Sequence, residues 1–274
     1  MADPLVHQWT IGDLSVVRVA DEDFALPSDR PAPEWCVGDL APDRAQVGLA
    51  FSALAVRSAD TDMVIDPWLA NDWPRQGDDA ADRAEQLLDR LAAVGFAPEA
   101  VDIVVNTHLD GVGWNTRPDG HGDWRLSFPN ARYVYPAAEV AAIEAGENIE
   151  GAEAFARLAE LTTIDAVDPP LPVAPGIELV DAPGHNFGHV AVRLESGPDL
   201  AIYPGHLVLT PFDIAEPDTP PEGADADQAV ATRRAILAEL AERDGVLLTT
   251  LLGGSGGGRV AVDGAGYRVT PVAR

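Results

Sequence analysis

The feature that most constrains the fold is an apolar run that passes directly into a polar loop, at residues 101–116 (VDIVVNTHLDGVGWNT). Residues 101–106 have the composition of a short buried strand, with β-branched side chains at most positions. The chain then presents His108 and Asp110 beside two glycines. A buried strand that ends in a loop carrying a histidine and an acid is a common location of functional groups in α/β proteins. The sequence therefore predicts an α/β fold with a functional site at the end of this strand.

The charge and composition disfavour several classes of function. The chain has 45 acidic and 18 basic residues, a net charge of −27, and all of its basic residues are Arg. This charge disfavours binding to nucleic acids and to anionic membrane surfaces. Hydrophobic residues make up 46% of the chain, which is enough for a core, and the single cysteine, Cys36, excludes an internal disulfide. No apolar run has the length of a membrane span and the N-terminus lacks the features of a signal peptide, so we expect a cytoplasmic protein.

Helical periodicity is clearest over residues 79–95, where Gly95 supplies a stop and acidic residues crowd the first turns. The apolar face of this helix consists of Leu87, Leu88, Leu91 and Val94. Residues 227–243 predict a second long helix, and weaker helical patterns cover residues 136–145 and 152–161. The second long helix is expected to bury Val230, Ile236, Leu237 and Leu240.

Strand patterns account for most of the remaining chain. Residues 8–19 predict a hairpin around the Gly12-Asp13 turn, and the Pro- and Asp-rich residues 20–45 predict a surface loop. Two strands are predicted within residues 47–66, and single strands at 177–181, 189–194, 200–203, 246–250, 259–262 and 267–270. The order gives two β-rich halves with helices outside. It predicts an α/β fold of the four-layer αββα sandwich type, in a single domain spanning residues 1–274.

Histidines and acids follow three of the predicted strands. They occur at His108 and Asp110, in the segment 183–189 (PGHNFGH) that contains His185, and at His206. Because strand ends meet at one edge of a sheet, we expect these four side chains to share a cleft. Histidine and carboxylate together supply either metal ligands or a general base with its orienting partner. Two further histidines receive other interpretations: His189 holds the PGH turn, and His121 lies in a solvated loop, with an additional ligand role as the alternative.

Several segments of the chain together resemble a known family. They are residues 9–13, the turn at Asp66, and residues 97–109, 111–117, 128–134, 183–197, 215–218, 231–240 and 258–268. These segments are similar to the metallo-β-lactamase-fold hydrolases, particularly the branch that includes quorum-quenching lactonases. The resemblance implies an αββα sandwich with a dinuclear metal site, usually zinc, at one edge of the two sheets. It also implies a bridging hydroxide that attacks an ester, lactam or lactone carbonyl.

The chain departs from the family at the metal ligands. The family loop reads Thr-His-x-His-x-Asp-His-x-Gly, whereas residues 107–113 read THLDGVG, with two residues missing and Gly111 in place of the last histidine. His206 stands where the resemblance places the bridging Asp, and the final histidine ligand aligns with Leu251. The ligands retained from the family are His108, His185 and, ambiguously, Asp110. Two metals need a bridging group and about three ligands each, so we expect no dinuclear site and no required cofactor.

The leading hypothesis is an enzyme that retains a lactonase-like pocket but works without metal on a small organic molecule of the specialised-metabolite type. His108, His185 and His206 would act as acid–base groups, and Asp110 would orient one imidazole. By the resemblance, Trp68 and Trp114 line an apolar wall for substrate. Asp66 and His189 support the histidines through hydrogen bonds.

Two alternatives stay open. One is a mononuclear zinc hydrolase of an ester, lactone or thioester, with the metal on His108, His185, His206 and Asp110. The other is a non-catalytic protein that binds a ligand or a partner, because loss of ligands with retention of the fold is what relaxed selection on catalysis would leave. The expected partner is a small molecule in each enzymatic hypothesis, and an oligomer is allowed.

Overall fold

The structure is a computed structural model that describes residues 3, 5–67, 80–109, 115–119, 121, 123–147, 151–221 and 225–272. In the described residues the helices are α1 (Ala80–Ala93), α2 (Ala137–Glu144), α3 (Ala152–Leu161), α4 (Pro211–Ala215) and α5 (Ala226–Glu242). The strands before α2 are β1 (Val6–Ile11), β2 (Leu14–Pro27), β3 (Gln46–Ser58), β4 (Thr61–Ile65), β5 (Ile103–Val105), β6 (Thr116–Pro118), β7 (Trp124–Leu126) and β8 (Arg132–Pro136). Those after α3 are β9 (Ile164–Val167), β10 (Leu171–Ala174), β11 (Ile177–Asp181), β12 (Val190–Ser196), β13 (Asp199–Tyr203), β14 (Val246–Leu248), β15 (Gly257–Asp263) and β16 (Gly266–Thr270). No helix in these ranges is both long and apolar enough to cross a lipid bilayer.

The strands form two seven-stranded sheets and a small separate hairpin. The first sheet has the order β1-β2-β3-β4-β5-β8-β9, and the second has the order β10-β11-β12-β13-β14-β15-β16. Strands β4, β5, β8 and β9 run parallel to one another, as do β13 and β14, while the other neighbours are antiparallel. The parallel strands matter for function because their carboxyl ends lie at a common edge.

Alternation along the strands divides the core into layers. On β3, Ala53 and Ala55 pack toward α1, α2 and α3, whereas Leu54 packs toward the second sheet. On β13, Tyr203 faces the first sheet, and Ile202 packs against α4 and α5. Each sheet is therefore covered by helices on one face and by the other sheet on its second face. This arrangement confirms the four-layer αββα sandwich.

One sequence expectation is wrong at the first long hairpin. Residues 20–45 were expected to form a surface loop, but β2 continues to Pro27, paired with β3 as far as Gln46. The register shifts between Ala20 and Glu22, and such a bulge lets a strand continue past a poorly paired residue. The Asp-rich composition indicated a loop because charged side chains on the exposed part of a strand resemble loop residues.

The face of α5 also differs from expectation. Leu237 and Leu240 are buried as expected, but Val230 and Ile236 are only partly buried. The fully buried positions on the first half of the helix are Ala229 and Arg233. A Cβ atom at Gly184 would lie 2.1 Å from the backbone nitrogen of Ala229, so the loop packs directly on the helix there. This close approach requires glycine at residue 184 of the loop, and the helix presents the small Ala229 to it.

Candidate functional site

Strand ends from both sheets meet at one edge. Asp66 follows β4, Thr107 and His108 follow β5, and His206 follows β13. The connection between β11 and β12 brings His185 to the same edge. Every one of these segments begins where a buried apolar strand stops, because the first residue beyond the core can carry a polar side chain.

Three histidines form a compact cluster at this edge. The ring centroids of His108 and His206 are 4.2 Å apart, and that of His185 lies 5.1 Å from each of them. One ring nitrogen from each residue lies within 4.8 Å of the other two. His108 and His206 are buried, and His185 is half-buried. The cluster is therefore enclosed on the side of the core and more open at His185.

Hydrogen bonds from the core fix the tautomer of His108. The Asp66 carboxylate accepts the hydroxyl of Thr107 at 2.6 Å and its backbone N–H at 2.8 Å. Because the Thr107 hydroxyl proton is used for Asp66, its oxygen accepts from Nδ1 of His108, at 2.9 Å. His108 is then protonated at Nδ1, and its Nε2 lone pair points at Nδ1 of His206, 3.0 Å away.

The carboxylate that anchors this chain of hydrogen bonds is itself held under strain. Asp66 has a φ of 40°, in the left-handed region that few residues other than glycine adopt. Its Oδ2 also accepts the hydroxyl of Tyr203 at 2.7 Å. Burial raises the pKa of Asp66, and the hydrogen bonds from Thr107 and Tyr203 oppose that rise. A strained, buried carboxylate beside a histidine cluster is typical of a functional site.

His189 has a different environment from the three clustered histidines. Its Nδ1 donates to the carbonyl oxygen of Ala182 at 2.9 Å, and its Nε2 accepts the backbone N–H of His206 at 3.2 Å. Both ring nitrogens are therefore engaged, and the ring holds the backbone at His206 in place. Burial, followed by the nearby His185 and His206, holds the pKa of His189 well below its ordinary value, which favours this neutral form.

Burial likewise keeps His108 neutral. It lowers the pKa of His108 well below the ordinary value, and the neighbouring His206, His189 and His185 add to the shift. A neutral imidazole is the form that ligates metals or accepts a proton. The environment of His108 therefore favours both kinds of chemistry at neutral pH.

The donor set fits one metal ion. In a tetrahedral zinc site, Zn–N bonds of about 2.0–2.1 Å place the ligand nitrogens about 3.3 Å apart. The 3.0 Å between the facing nitrogens of His108 and His206 is close to that spacing. A ring nitrogen of His185 lies within 4.8 Å of a nitrogen of each of them. A ligating histidine commonly donates its other N–H to a partner, as His108 does to Thr107. Among the described residues, the cluster consists of these three histidines, and no acidic side chain belongs to it.

Other residues singled out in the sequence have other locations. Asp110, Trp68 and Trp114 lie outside the described residues, so their assigned roles stay predictions. His121 is exposed in the loop after β6, away from the cluster, where its backbone N–H donates to Asp119. No role was predicted from the sequence for Thr107 or Tyr203. Thr107 directly precedes His108, and Tyr203 precedes His206 by three residues. A polar residue at the end of a strand was the signal that could have identified each of them.

These features define the fold: the chain has the metallo-β-lactamase fold, with a histidine cluster at the shared edge of its two sheets. No protein-family model matches the chain. Among solved structures, AidC, described as a dizinc quorum-quenching lactonase, has a TM-score of 0.75 at 18% identity, over 99% of each chain. AbOPH, described as a hydrolase in the β-lactamase superfamily, has a TM-score of 0.74 at 19% identity, over 100% of this chain and 99% of AbOPH.

A probable metal-dependent hydrolase from Staphylococcus aureus has a TM-score of 0.67 at 18% identity, over 97% of this chain and 100% of its own. Identities this low establish a shared fold rather than a shared activity. The resemblance to metallo-β-lactamase-fold hydrolases, including quorum-quenching lactonases, is confirmed at that level.

Proposed function

We propose that this chain is a hydrolase in which His108, His185 and His206 hold a single Zn²⁺ ion and that it cleaves an ester, lactone or thioester. The observation that carries the proposal is the convergence of three imidazole nitrogens within 4.8 Å of one another. A Zn²⁺ ion in such a site supplies a Lewis acid that activates water and polarises a carbonyl group. AidC, described as a dizinc lactonase, supports this choice of metal, and the Staphylococcus aureus protein, described as a probable metal-dependent hydrolase, supports a metal at this site.

The contribution of the protein's own residues is to keep the imidazoles neutral and correctly turned. Thr107, anchored on Asp66, accepts a hydrogen bond from the Nδ1–H of His108, which leaves the Nε2 lone pair to bind an electrophile. Burial removes competing water from His108 and holds it in the neutral form. His185 is the most exposed member of the cluster, so we expect substrate to approach from its side.

A metal-independent mechanism is the second candidate, favoured by the 3.0 Å hydrogen bond between His108 and His206. In this arrangement Nδ1 of His206 donates to Nε2 of His108, which makes Nε2 the unprotonated ring nitrogen of His206. The series Asp66, Thr107 and His108 would then orient His206 as a general base that takes a proton from water or from a small organic substrate.

Elemental analysis of protein purified without chelator, combined with hydrolysis assays on lactones, thioesters and aryl esters, tests the proposal. We expect about one Zn²⁺ ion per chain and a hydrolytic activity that is lost on chelation and restored by zinc. H185A should lose both the metal and the activity. H121A is the matched control, because His121 is an exposed histidine outside the cluster, and it should retain both.

The other outcomes separate the alternatives. Activity that survives chelation in metal-free protein, and that H206A abolishes, would replace the zinc proposal with the metal-independent mechanism. Absence of both zinc binding and hydrolysis across the panel would contradict both enzymatic candidates and leave a non-catalytic binding protein.

A further inference from the structure

A buried carboxylate outside the histidine cluster connects the two loops that carry His108 and His185. Glu139 lies in the first turn of α2 and its side chain is fully buried, with 0% exposure. Its Oε2 accepts the backbone N–H of Leu109 at 3.2 Å, and its Oε1 accepts the backbone N–H of Gly188 at 2.7 Å. The two amides belong to segments far apart in sequence, so one carboxylate joins three parts of the chain.

The two amides lie close in sequence to the clustered histidines. Leu109 directly follows His108, and Gly188 follows His185 by three residues. The carboxyl group of Glu139 accepts one backbone N–H group on each of its two oxygens. A carboxylate near a helix N-terminus is also favoured by the helix dipole. Glu139 therefore holds both loops at fixed distances from the start of α2.

The loop that carries His185 packs so closely on α2 that its backbone has little room to move. A Cβ atom at Gly188 would lie 2.6 Å from Cβ of Ala138 and 3.0 Å from the backbone nitrogen of Glu139. Only glycine allows the loop to approach the helix closely enough for the 2.7 Å hydrogen bond. The backbone N–H of Val190 donates to the carbonyl oxygen of Thr107 at 3.0 Å and joins the same two loops from the other side.

We propose that Glu139 is a positioning residue that sets the separation of His108 and His185, and thereby the affinity of the histidine cluster for a divalent cation. The inference rests on the proposed function for its second half, because the cation is the proposed zinc. Its first half concerns only the protein and does not depend on metal. Residues that orient metal ligands from outside the cluster typically alter affinity by about 10- to 100-fold when they are replaced.

The variant that tests this role is E139Q, which keeps the size of the side chain. The amide oxygen of Gln accepts one of the two N–H groups, but the amide nitrogen carries hydrogens and accepts from neither. We expect E139Q to bind Zn²⁺ about 10- to 100-fold more weakly in a chelator competition assay. The visible absorption bands of the Co²⁺-substituted protein should also change. D21N is the matched control, because Asp21 is another buried carboxylate and is bonded to Arg83 rather than to either histidine loop. It should leave the zinc affinity and the cobalt spectrum unchanged.

Two measurements on metal-free protein separate the inference from the proposed function. In the wild type, the amides of Leu109 and Gly188 should be protected from hydrogen exchange, and the rings of His108 and His185, 5.1 Å apart, should give nuclear Overhauser effects. E139Q should lose protection at one amide and weaken the ring contact. Retention of both would overturn the positioning role even if zinc binds.

If wild-type protein binds no zinc but E139Q disturbs the loops, the proposed function fails and the positioning of the histidines stands. If E139Q and D21N weaken zinc binding equally, the effect is general destabilisation and the role in metal affinity is refuted.

Discussion

At the residue scale, the chemistry of the site depends on which nitrogen of His108 carries a proton. The buried series from Tyr203 through Asp66 and Thr107 to His108 settles this question, because a carboxylate only accepts hydrogen bonds. Burial and the charge of Asp66 hold the pKa of Tyr203 well above its ordinary value, so its hydroxyl stays a donor. The Asp66 carboxylate thus sets the direction of the hydrogen bonds from Tyr203 and Thr107, and Thr107 in turn sets the direction of the one from His108.

Replacement of Thr107 by Val tests the tautomer argument directly. Val has nearly the shape of Thr but offers no oxygen to the Nδ1 proton of His108, so that buried N–H and the Asp66 carboxylate each lose a partner. We expect a loss of about 1–3 kcal/mol in the free energy of unfolding and zinc binding about 10- to 100-fold weaker. T107S keeps the hydroxyl and should bind zinc nearly as the wild type does. Equal zinc affinity in T107V and T107S, measured by chelator competition, would contradict the argument.

The lowered pKa values of two histidines predict how stability depends on pH. His108 and His189 both have folded-state pKa values well below their ordinary value near 6.5, so below that pH the unfolded chain binds more protons than the folded one. Their contribution to stability is fully present above about pH 6.5 and is lost as the pH falls toward their folded pKa values. The raised pKa of Asp66 acts in the opposite direction, beginning at the ordinary Asp pKa of 3.8.

Urea unfolding of metal-free protein between pH 8 and 5 measures this effect. The free energy of unfolding should fall on acidification by up to about 1.4 kcal/mol per pH unit for each histidine. H189Q should reduce the slope of the unfolding free energy against pH by up to about 1.4 kcal/mol per pH unit, which corresponds to one proton. H121Q should leave it unchanged, since His121 is exposed. A wild-type slope of zero across this range would show that the buried histidines do not govern acid stability.

At the scale of elements, the site depends on tight turns that follow strands. Gly205 begins the turn after β13 with a φ of +56°, and a Cβ atom there would lie 2.3 Å from Nε2 of His189. The turn can therefore place His206 beside His108 only if residue 205 has no side chain. This requirement explains why a glycine directly precedes the histidine.

The substitution G205A, compared with G264A, separates backbone strain from contact. Gly264 has a similar φ of +61° in the turn between β15 and β16, but a Cβ atom there meets nothing within 4 Å. G264A should lose about 1–2 kcal/mol in the free energy of unfolding, from backbone strain alone. G205A should lose about 1–3 kcal/mol more from the free energy of unfolding, which is the usual cost of overpacking. It should also weaken zinc binding. Equal losses of unfolding free energy in the two variants, measured by urea unfolding, would mean that the turn at residue 205 shifts to accommodate the added methyl group. His189 would then not hold that turn in place.

Helical periodicity was sufficient to predict the four longer helices but not the five-residue α4, and short apolar runs were not sufficient to predict all strands. Helix α3 has the bounds expected from its sequence, residues 152–161, because its apolar residues recur at helical spacing. Strands β8 and β9 were not predicted, since runs of four or five residues beside a helix do not reveal their pairing. Glu139 gave no functional signal, because an acid in the first turn of a helix normally faces solvent.

At the scale of the whole molecule, the two sheets are joined by a buried arginine as well as by apolar packing. Arg18 on β2 is 1% exposed and donates to the carbonyl oxygens of Leu252 and Gly254, at 2.7 and 2.9 Å, and to Ser52 at 2.9 Å. It thereby ties the glycine tract that follows β14 of the second sheet to the first sheet. Burial lowers the pKa of Arg18 to about 10, which still leaves it charged at neutral pH. The resemblance could predict the two sheets but not this contact, since an arginine in an alternating strand has no sequence mark of burial.

The substitution R18K tests whether this contact stabilises the whole fold. Lys keeps the charge but lacks the planar set of donors that serves three oxygens at once, so buried carbonyl groups would lose their partners. Breaking a buried charged network by removing one partner costs about 3–5 kcal/mol, and we expect R18K to lose close to that from the free energy of unfolding. R57K is the matched control, because Arg57 makes a bidentate ion pair with Asp62 at the surface. Surface ion pairs contribute about 1 kcal/mol or less to the free energy of unfolding. Urea unfolding measures the loss of stability in both variants. If R18K loses no more unfolding free energy than R57K, apolar packing alone joins the two sheets. The glycine tract would then need no anchor to hold the edge that bears the histidines.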